Sequence, residues 1–424
     1  MKNILKIPYK CLKKVKHSMA EIYRDADAVK KLTKTKEDFQ KNKKDEINVV
    51  FIAQYIPAWN KHVWIYNVIM KRKNMNAHIL CVPSDIEKNQ FVGDSSKNDV
   101  YEYFVSHGYE NCINAYENGR WFDLKSLSPD YVFHSRPYNH FMPVEYTSIN
   151  VCQYAKLCNF LYGASMSKMT MNTVFNKSYF RHCSFYFAID EAEKEYWEKR
   201  FEKGCKAGLQ KSVAVGSPAF QSILSVKKEK YDNKKTIIWT PRWSTDKVIG
   251  GSNFFNYKDV LPELLGGKQE TELIMRPHPL MFGNFVKQGL MTEKEVDDYK
   301  SMCASKGNIR FDTEKEYTDT FWKTDFMVTD ISGIIIEYFI TGKPIIFCTS
   351  EVEHHENLTE AYQKILEGCY IARNKDELEE CINNLLNGKD TLLEKRKEII
   401  EQFIDRKMTS SEKIVNVLEE DYRK

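Results

Sequence analysis

The sequence predicts an α/β protein made of two successive halves, each a parallel sheet wound with helices. Three observations carry that prediction. Short apolar runs alternate with amphipathic stretches long enough to be crossover helices. The alternation breaks at a lysine-rich stretch, 227–235, and then resumes. Finally, the strand ends of the second half are polar loops carrying Pro, Gly, Arg and His, and open parallel sheets bind ligands at such ends. A chain of 424 residues is too long for one core, and its 42% hydrophobic and 13% aromatic residues can fill two.

Residues 1–45 are expected to form a basic helical arm. Residues 1–44 carry 14 Lys and Arg against 5 Asp and Glu, a net +9, so the remainder carries −5. Ile4, Cys11, Val15, Met19 and Ile22 recur at three-, four- and seven-residue steps, with Lys10, Lys13, Lys14 and Lys16 between them. Such a helix suits an anionic membrane surface, where each nearby lysine contributes about 1 kcal/mol and the apolar stripe enters the interface. Packing on its own protein with a solvated basic face is the alternative. Nucleic acid is not an expected partner, because the acidic remainder offers no long basic groove and no reader motif.

After the charged break at 41–46, residues 46–226 read as an N-terminal Rossmann-like domain. Its predicted strands are 47–53, 77–82, 131–134, 149–154 and 184–189, and residues 213–218 close it. Residues 227–390 read as a second such domain, with strands at 236–240, 272–276, 308–311, 326–329 and 344–347. Residues 391–424 read as charged helices packing back on the N-terminal domain.

Three strand ends of the second half converge on one chemistry. The first delivers Thr240-Pro241-Arg242-Trp243-Ser244, the second Arg276-Pro277-His278-Pro279 and the third Thr329-Asp330-Ile331-Ser332-Gly333, which opens an apolar helix at Ile334. Arginine holds phosphate oxygens with paired donors, histidine can donate a hydrogen bond or a proton to them, and prolines fix the loops that aim both. A helix start adds unpaired N–H groups and the positive end of the helix dipole. Each residue also has a structural reading: Arg276 in an ion pair, His278 as a cap, Asp330 and Ser332 as ordinary helix-start residues. Jointly they read as a diphosphate site, with Arg242, Arg276, Thr329, Asp330, Ser332 and Gly333 at the phosphates, Thr240, Pro241 and Trp243 at the nucleotide, and His278 catalytic.

Eleven scattered cysteines with no C-x-x-C pair suit a reducing compartment and imply neither disulfides nor a zinc cage. No Asp-x-Asp follows a strand, so no metal is expected in the chemistry, and no cofactor is implied. There is no apolar run of 18 residues and no secretion signal, so the expected location is the cytoplasmic side. His354 and His355 read as solvated surface.

At these motifs the sequence resembles the CDP-glycerol glycerophosphotransferase family, the teichoic acid primases and polymerases. Family members carry Pro-Thr-Trp-Arg, Arg-Pro-His-Pro, Asp-Tyr-Ser-Ser and a Lys-Pro-Ile-Ile-Phe-like strand. The corresponding segments are Pro241-Arg242-Trp243-Ser244, Arg276-Pro277-His278-Pro279, Asp330-Ile331-Ser332-Gly333 and Lys343-Pro344-Ile345-Ile346-Phe347. Weaker similarity runs through 372–378 to 410–414. The resemblance implies a GT-B fold with two Rossmann-like domains facing a cleft, a CDP-alditol donor in the C-terminal domain, the acceptor at the N-terminal domain, and peripheral attachment to the inner face of the cell membrane. The family's His-Gly-Thr-Pro-Leu-Lys motif, whose histidine is held to be the catalytic base, is not found; the corresponding region has no histidine across 150–154 and 161–164.

The expected activity is therefore transfer of an alditol phosphate, foremost glycerophosphate, from CDP-glycerol or a related CDP-alditol to a hydroxyl of a lipid-linked saccharide or polymer, in teichoic acid or capsule-type synthesis. A GT-B glycosyltransferase using a nucleotide sugar is the alternative, and a non-catalytic partner of envelope assembly is a third reading. Candidate bases are His62, just beyond the first strand, and His134 or His140 beyond the third.

Overall fold

The computed structural model describes residues 9–88, 98–161, 163, 165, 167–226, 234–245, 251–314, 316–349 and 357–424, with side chains from residue 18 onward. They fall into two compact units. Unit 1 takes the described residues of Met1–Phe160, Phe175–Val215 and Ser411–Lys424; unit 2 takes those of Leu161–Val174 and Gly216–Ser410.

The strands of unit 1 are β1 (Ile47–Ala53), β2 (Met75–Cys81), β3 (Cys112–Asn114), a two-stranded ribbon of β4 (Tyr116–Glu117) and β5 (Arg120–Trp121), β6 (Tyr131–His134), β7 (Lys156–Asn159), β8 (Cys183–Ala188) and β9 (Lys211–Ala214). Apart from the ribbon they form one parallel sheet in the order β3-β2-β1-β6-β7-β8-β9. Chain order reverses between β1 and β6, as in a doubly wound sheet. These strands are apolar on both faces, as a sheet covered by helices on both sides requires. Phe51 and Phe133, on the neighbouring β1 and β6, stack at 5.3 Å in the core.

Unit 2 contributes β10 (Lys235–Thr240), β11 (Thr271–Met275), β12 (Ile309–Phe311), β13 (Phe326–Thr329), β14 (Ile345–Cys348) and β15 (Tyr370–Ala372). Their order, β12-β11-β10-β13-β14-β15, is again parallel and reverses between β10 and β13. Trp239 stacks on Phe254 at 5.7 Å beneath the site end of this sheet.

The structure departs from the expected layout in five places. Residues 149–154 are not a strand: the chain makes a short helix, Ser148–Val151, and β7 follows it. The buried set Ser148, Val151, Cys152 and Ala155 has helical spacing, whereas Ile149 is exposed. The division expected at 226/227 falls at Val215/Gly216, because the helix Pro218–Ser225 belongs to unit 2, where Trp322 Nε1 donates to Ile223 O at 2.5 Å. Gly216 sits at φ +83°, and a Cβ there would lie 2.8 Å from Ser410 Oγ, so glycine is required at this crossing. Residues 161–174 also join unit 2, where Ser167 bridges Leu358 and Thr359 Oγ1 donates to Ser165 O at 3.0 Å.

The expected C-terminal segment divides as well. The helix Leu393–Phe403 stays in unit 2, its fully buried Arg396 donating to Gly342 O at 3.0 Å and pairing with Asp390. Only Ser411–Lys424, carried by the helix Ser410–Arg423, completes unit 1, burying Ile414, Val415 and Leu418 in its core. The arm, finally, is one helix, Tyr9–Lys41, that is partly built into unit 1. Ala28, Leu32 and Thr35 are buried, and Arg181 holds Glu21 at 2.7 Å and Asp25 at 3.4 Å. Met19, Ile22 and Tyr23 instead remain 65%, 60% and 74% exposed.

Candidate functional site

The loops after β10, β11 and β13 meet at the carboxyl end of the unit 2 sheet, flanking the point where strand order reverses. Register pairs Thr240 with Thr329, and Thr240 Oγ1 donates to Thr329 Oγ1 at 2.7 Å. Both threonines are buried, so their hydroxyls tie the two strand ends together.

The next residues continue the join. Asp330 Oδ2 accepts from Arg242 N at 2.9 Å and from Asn253 N at 3.2 Å, and Arg242 Nη1 donates to Ile331 O at 2.9 Å. Burial pushes the Asp330 carboxyl up to about 6, against the lowering effect of those amide donors. Asp330 therefore organises the loops from inside, with its carboxylate turned to backbone amides. Asn253, which the sequence reading did not single out, also donates from Nδ2 to Cys348 O at 3.1 Å and so links this site to β14.

Arg276 leaves β11 with its backbone N on Trp239 O at 2.8 Å. Its guanidinium donates to Asp312 Oδ2 at 2.7 Å and to Glu314 O at 2.7 Å, beside the Tyr317 ring. Asp312 is nearly fully buried and also accepts from Thr320 Oγ1 at 3.2 Å. The ion pair considered for Arg276 is thus present, and it aims the guanidinium from a fixed carboxylate. Asp312 was legible as a polar residue directly after β12, a fourth strand end that the sequence reading passed over.

His278 packs its ring 5.8 Å from Trp243, and its Nδ1 accepts from Leu280 N at 3.2 Å. A nitrogen that accepts carries no proton, so the neutral ring bears its N–H at Nε2 and offers a donor. Partial burial of the ring, followed by the nearby Arg242 charge, holds its basicity below the ordinary histidine value. The residue as a whole is exposed, and its imidazole is neutral at pH 7. Trp243, also exposed, presents the largest apolar surface of this loop.

Ser332 and Gly333 precede a helix of six residues, Ile334–Phe339. Ser332 N donates to Tyr362 OH at 3.1 Å and Ile334 N donates to Ser332 Oγ at 3.4 Å. Those two amides, expected to be open to an anion, thus have partners inside unit 2. Gly333 has φ −64°, so its backbone does not require glycine.

The histidines proposed as bases lie in unit 1, and the structure gives two of them to its core. His134 Nε2 donates to Tyr146 O at 2.7 Å and its Nδ1 accepts from Tyr179 OH at 3.1 Å, so both ring nitrogens are engaged. His62 donates from Nδ1 to Ala58 O at 3.0 Å and packs 4.6 Å from the Phe160 ring. Burial pushes both imidazoles down to about 4. His140 is exposed in a short 3-10 turn. The side chains of Lys10, Lys13, Lys14 and Lys16, and His354 with His355, lie outside the described residues.

Two Rossmann-like units in one chain, with arginine, histidine and serine at the strand-order reversal of unit 2, give the chain a GT-B-like fold. A family model described as CDP-glycerol:poly(glycerophosphate) glycerophosphotransferase matches residues 179–420, more than half of the chain. The chain belongs to that family and is a CDP-glycerol glycerophosphotransferase-like transferase.

Solved structures agree in fold. The wall teichoic acid polymerase TagF, in a variant soaked with CDPG, aligns with a TM-score of 0.56 and 13% identity over 97% of each chain. The S. aureus MnaA–UDP structure aligns at 0.57 and 14% identity, covering 88% of this chain and 96% of its own. The UDP-GlcNAc 2-epimerase of Neisseria meningitidis bound to UDP-GlcNAc aligns at 0.55 and 13% identity, covering 88% and 100%. No curated protein sequence matched the chain.

Proposed function

We propose that this protein transfers glycerophosphate from CDP-glycerol, or the alditol phosphate of a related CDP-alditol, to a hydroxyl of a lipid-linked saccharide or polymer in teichoic acid or capsule-type envelope synthesis. The observation that carries the reading is the convergence of Arg242, Arg276, His278 and Ser332 on one sheet end within the segment that matches the family. In the reaction the acceptor oxygen bonds to the β-phosphorus, the bond from that phosphorus to the bridging oxygen breaks, CMP leaves with the electron pair, and the hydroxyl proton passes to a base. Arg276, aimed by Asp312, holds charge on the diphosphate, and His278 donates from Nε2 to a phosphate oxygen. Trp243 offers a stacking surface for the nucleotide. Thr240, Pro241, Arg242, Thr329 and Asp330 hold these loops, with Ser332 and Gly333 at the phosphate side.

The arm supports attachment to an anionic membrane surface. Its stripe residues Met19 and Ile22, with Tyr23, are exposed on a helix whose N-terminal portion is rich in lysine. No helix among the described residues is long and apolar enough to cross a membrane. In this reading the protein lies on the inner face of the cell membrane.

The test is a thermal-shift and turnover panel with CDP-glycerol, CDP-ribitol and UDP-sugars. Stabilisation by a CDP-alditol, with CMP released in the presence of a membrane acceptor extract, is expected. Stabilisation by a UDP-sugar alone would transfer the reading to a glycosyltransferase. Binding of a CDP-alditol without CMP release on any acceptor extract would favour a non-catalytic role.

A further inference from the structure

The unit 1 sheet has its own strand-order reversal, between β1 and β6, and doubly wound sheets bind ligands where neighbouring strands send their connections to opposite faces. Gln54 directly follows β1, and Arg136 lies two residues beyond β6. Both are buried, at 1% and 6% exposure. Arg136 Nη2 donates to Gln54 Oε1 at 2.6 Å, and the guanidinium carbon lies 4.4 Å from the Tyr55 ring centre and 4.6 Å from that of Phe141. Cation–π contacts with these two rings help hold the guanidinium in place. Gln54 is fixed in turn, because only its amide oxygen can accept from Arg136, and its backbone N donates to Ser135 Oγ at 3.3 Å.

That arrangement leaves Gln54 Nε2 buried with no hydrogen-bond partner among the described residues. A buried donor left unmade costs about 1–3 kcal/mol, so a site that keeps one in place is built for an acceptor atom that arrives with a ligand. Its immediate neighbour is a cation, the Arg136 guanidinium. Donors and positive charge together select an oxyanion.

We propose that Gln54 and Arg136 form a phosphate-ester subsite in unit 1 that binds the phosphate of the acceptor. This rests on the glycerophosphotransferase reading, which supplies a phosphate-bearing acceptor. The subsite lies on residues separate from the donor loops of unit 2, so the two can be tested apart.

The experiment titrates the full-length protein with sn-glycerol 3-phosphate, with inorganic phosphate and with CDP-glycerol, following heat and ligand-observed NMR. Saturable binding of glycerol 3-phosphate is expected, with inorganic phosphate weaker and His278→Ala without effect. Gln54→Glu is the discriminating variant. It keeps an oxygen for Arg136, so a merely structural pair would be preserved or strengthened, yet it replaces the open donor with a negative acceptor and should weaken glycerol 3-phosphate binding by at least about tenfold. Arg136→Lys keeps the charge without the flat fork and should weaken it by several-fold while leaving CDP-glycerol binding at the wild-type value. The proposal is overturned if the wild type binds neither phosphate compound. Wild-type affinity in Gln54→Glu and Arg136→Lys would overturn it too, as would loss of glycerol 3-phosphate binding in His278→Ala. Failure to bind CDP-glycerol alone would instead count against the donor reading.

Discussion

Thr240 and Thr329 end adjacent parallel strands as register partners, and Thr240 Oγ1 donates to Thr329 Oγ1 at 2.7 Å with both side chains buried. Thr329→Val keeps the shape and removes the acceptor, stranding the Thr240 hydroxyl. We expect a loss of about 1–3 kcal/mol in urea unfolding and weaker CDP-glycerol binding, since the loops at 241 and 330 start from this tie. Unchanged stability would mean that the strand ends are held by backbone pairing alone.

His278 tests the chemistry itself. His278→Ala should abolish CMP release while the melting temperature stays within about 2 °C, because the residue is exposed. His278→Gln should keep part of the activity through its amide N–H. Because the ring is already neutral at pH 7, the rate should show no titration of this group between pH 6 and 8. An active alanine variant would count against a phosphate contact.

Asp312→Asn asks whether the aim of Arg276 matters. Losing the carboxylate at 2.7 Å frees the guanidinium to reorient, and CDP-glycerol affinity should fall by about tenfold in calorimetry. Equal affinity would make the pair a local structural feature.

The buried histidines of unit 1 set an acid limit. His62 and His134 are pushed down to about 4, so the unfolded chain binds their protons first as pH falls. Their contribution is fully present above about pH 6.5 and is lost on the way down through about 4, on the order of 3 kcal/mol for each ring. Asp330 in unit 2 has the opposite sign: its raised carboxyl favours the folded state at low pH, and that gain disappears as pH rises through about 6. Chemical denaturation at pH 7.5, 5.5 and 4.5 should show a decline that is shallower in His134→Gln, measured relative to each protein's own stability at pH 7.5. An equal slope would remove His134 from the account.

For the membrane arm, the triple change of Met19, Ile22 and Tyr23 to Ser should reduce sedimentation with phosphatidylglycerol vesicles, and added salt should reduce it further. Truncation should stop before Ala28, because the residues beyond it belong to the unit 1 core. Undiminished binding of the triple variant would assign those exposed side chains another role.

Much of this organisation could be read from residue patterns, for a physical reason. Strands β1, β6 and β13 coincide with their expected spans because they are buried on both faces and end at polar residues. β7 was missed because Lys-Leu-Cys-Asn has no β-branched signature, while the preceding Ile-x-Val alternation imitates a strand although its burial follows helical spacing. At the site, periodicity located the strand ends but not the direction of the groups on them. Asp330 could not be told from an outward cap, nor His134 from a cleft residue, because burial depends on partners such as Asn253, Tyr146 and Tyr179 that are distant in sequence.

Helix Ser410–Arg423 supplies Ile414, Val415 and Leu418 to the core that β1 begins, and Tyr131 OH donates to Leu418 O at 3.0 Å. On the ribosome, this helix emerges only after every residue of unit 2. The first unit to be synthesised therefore completes its core with the last residues of the chain, which makes C-terminal truncation a lesion of the N-terminal half.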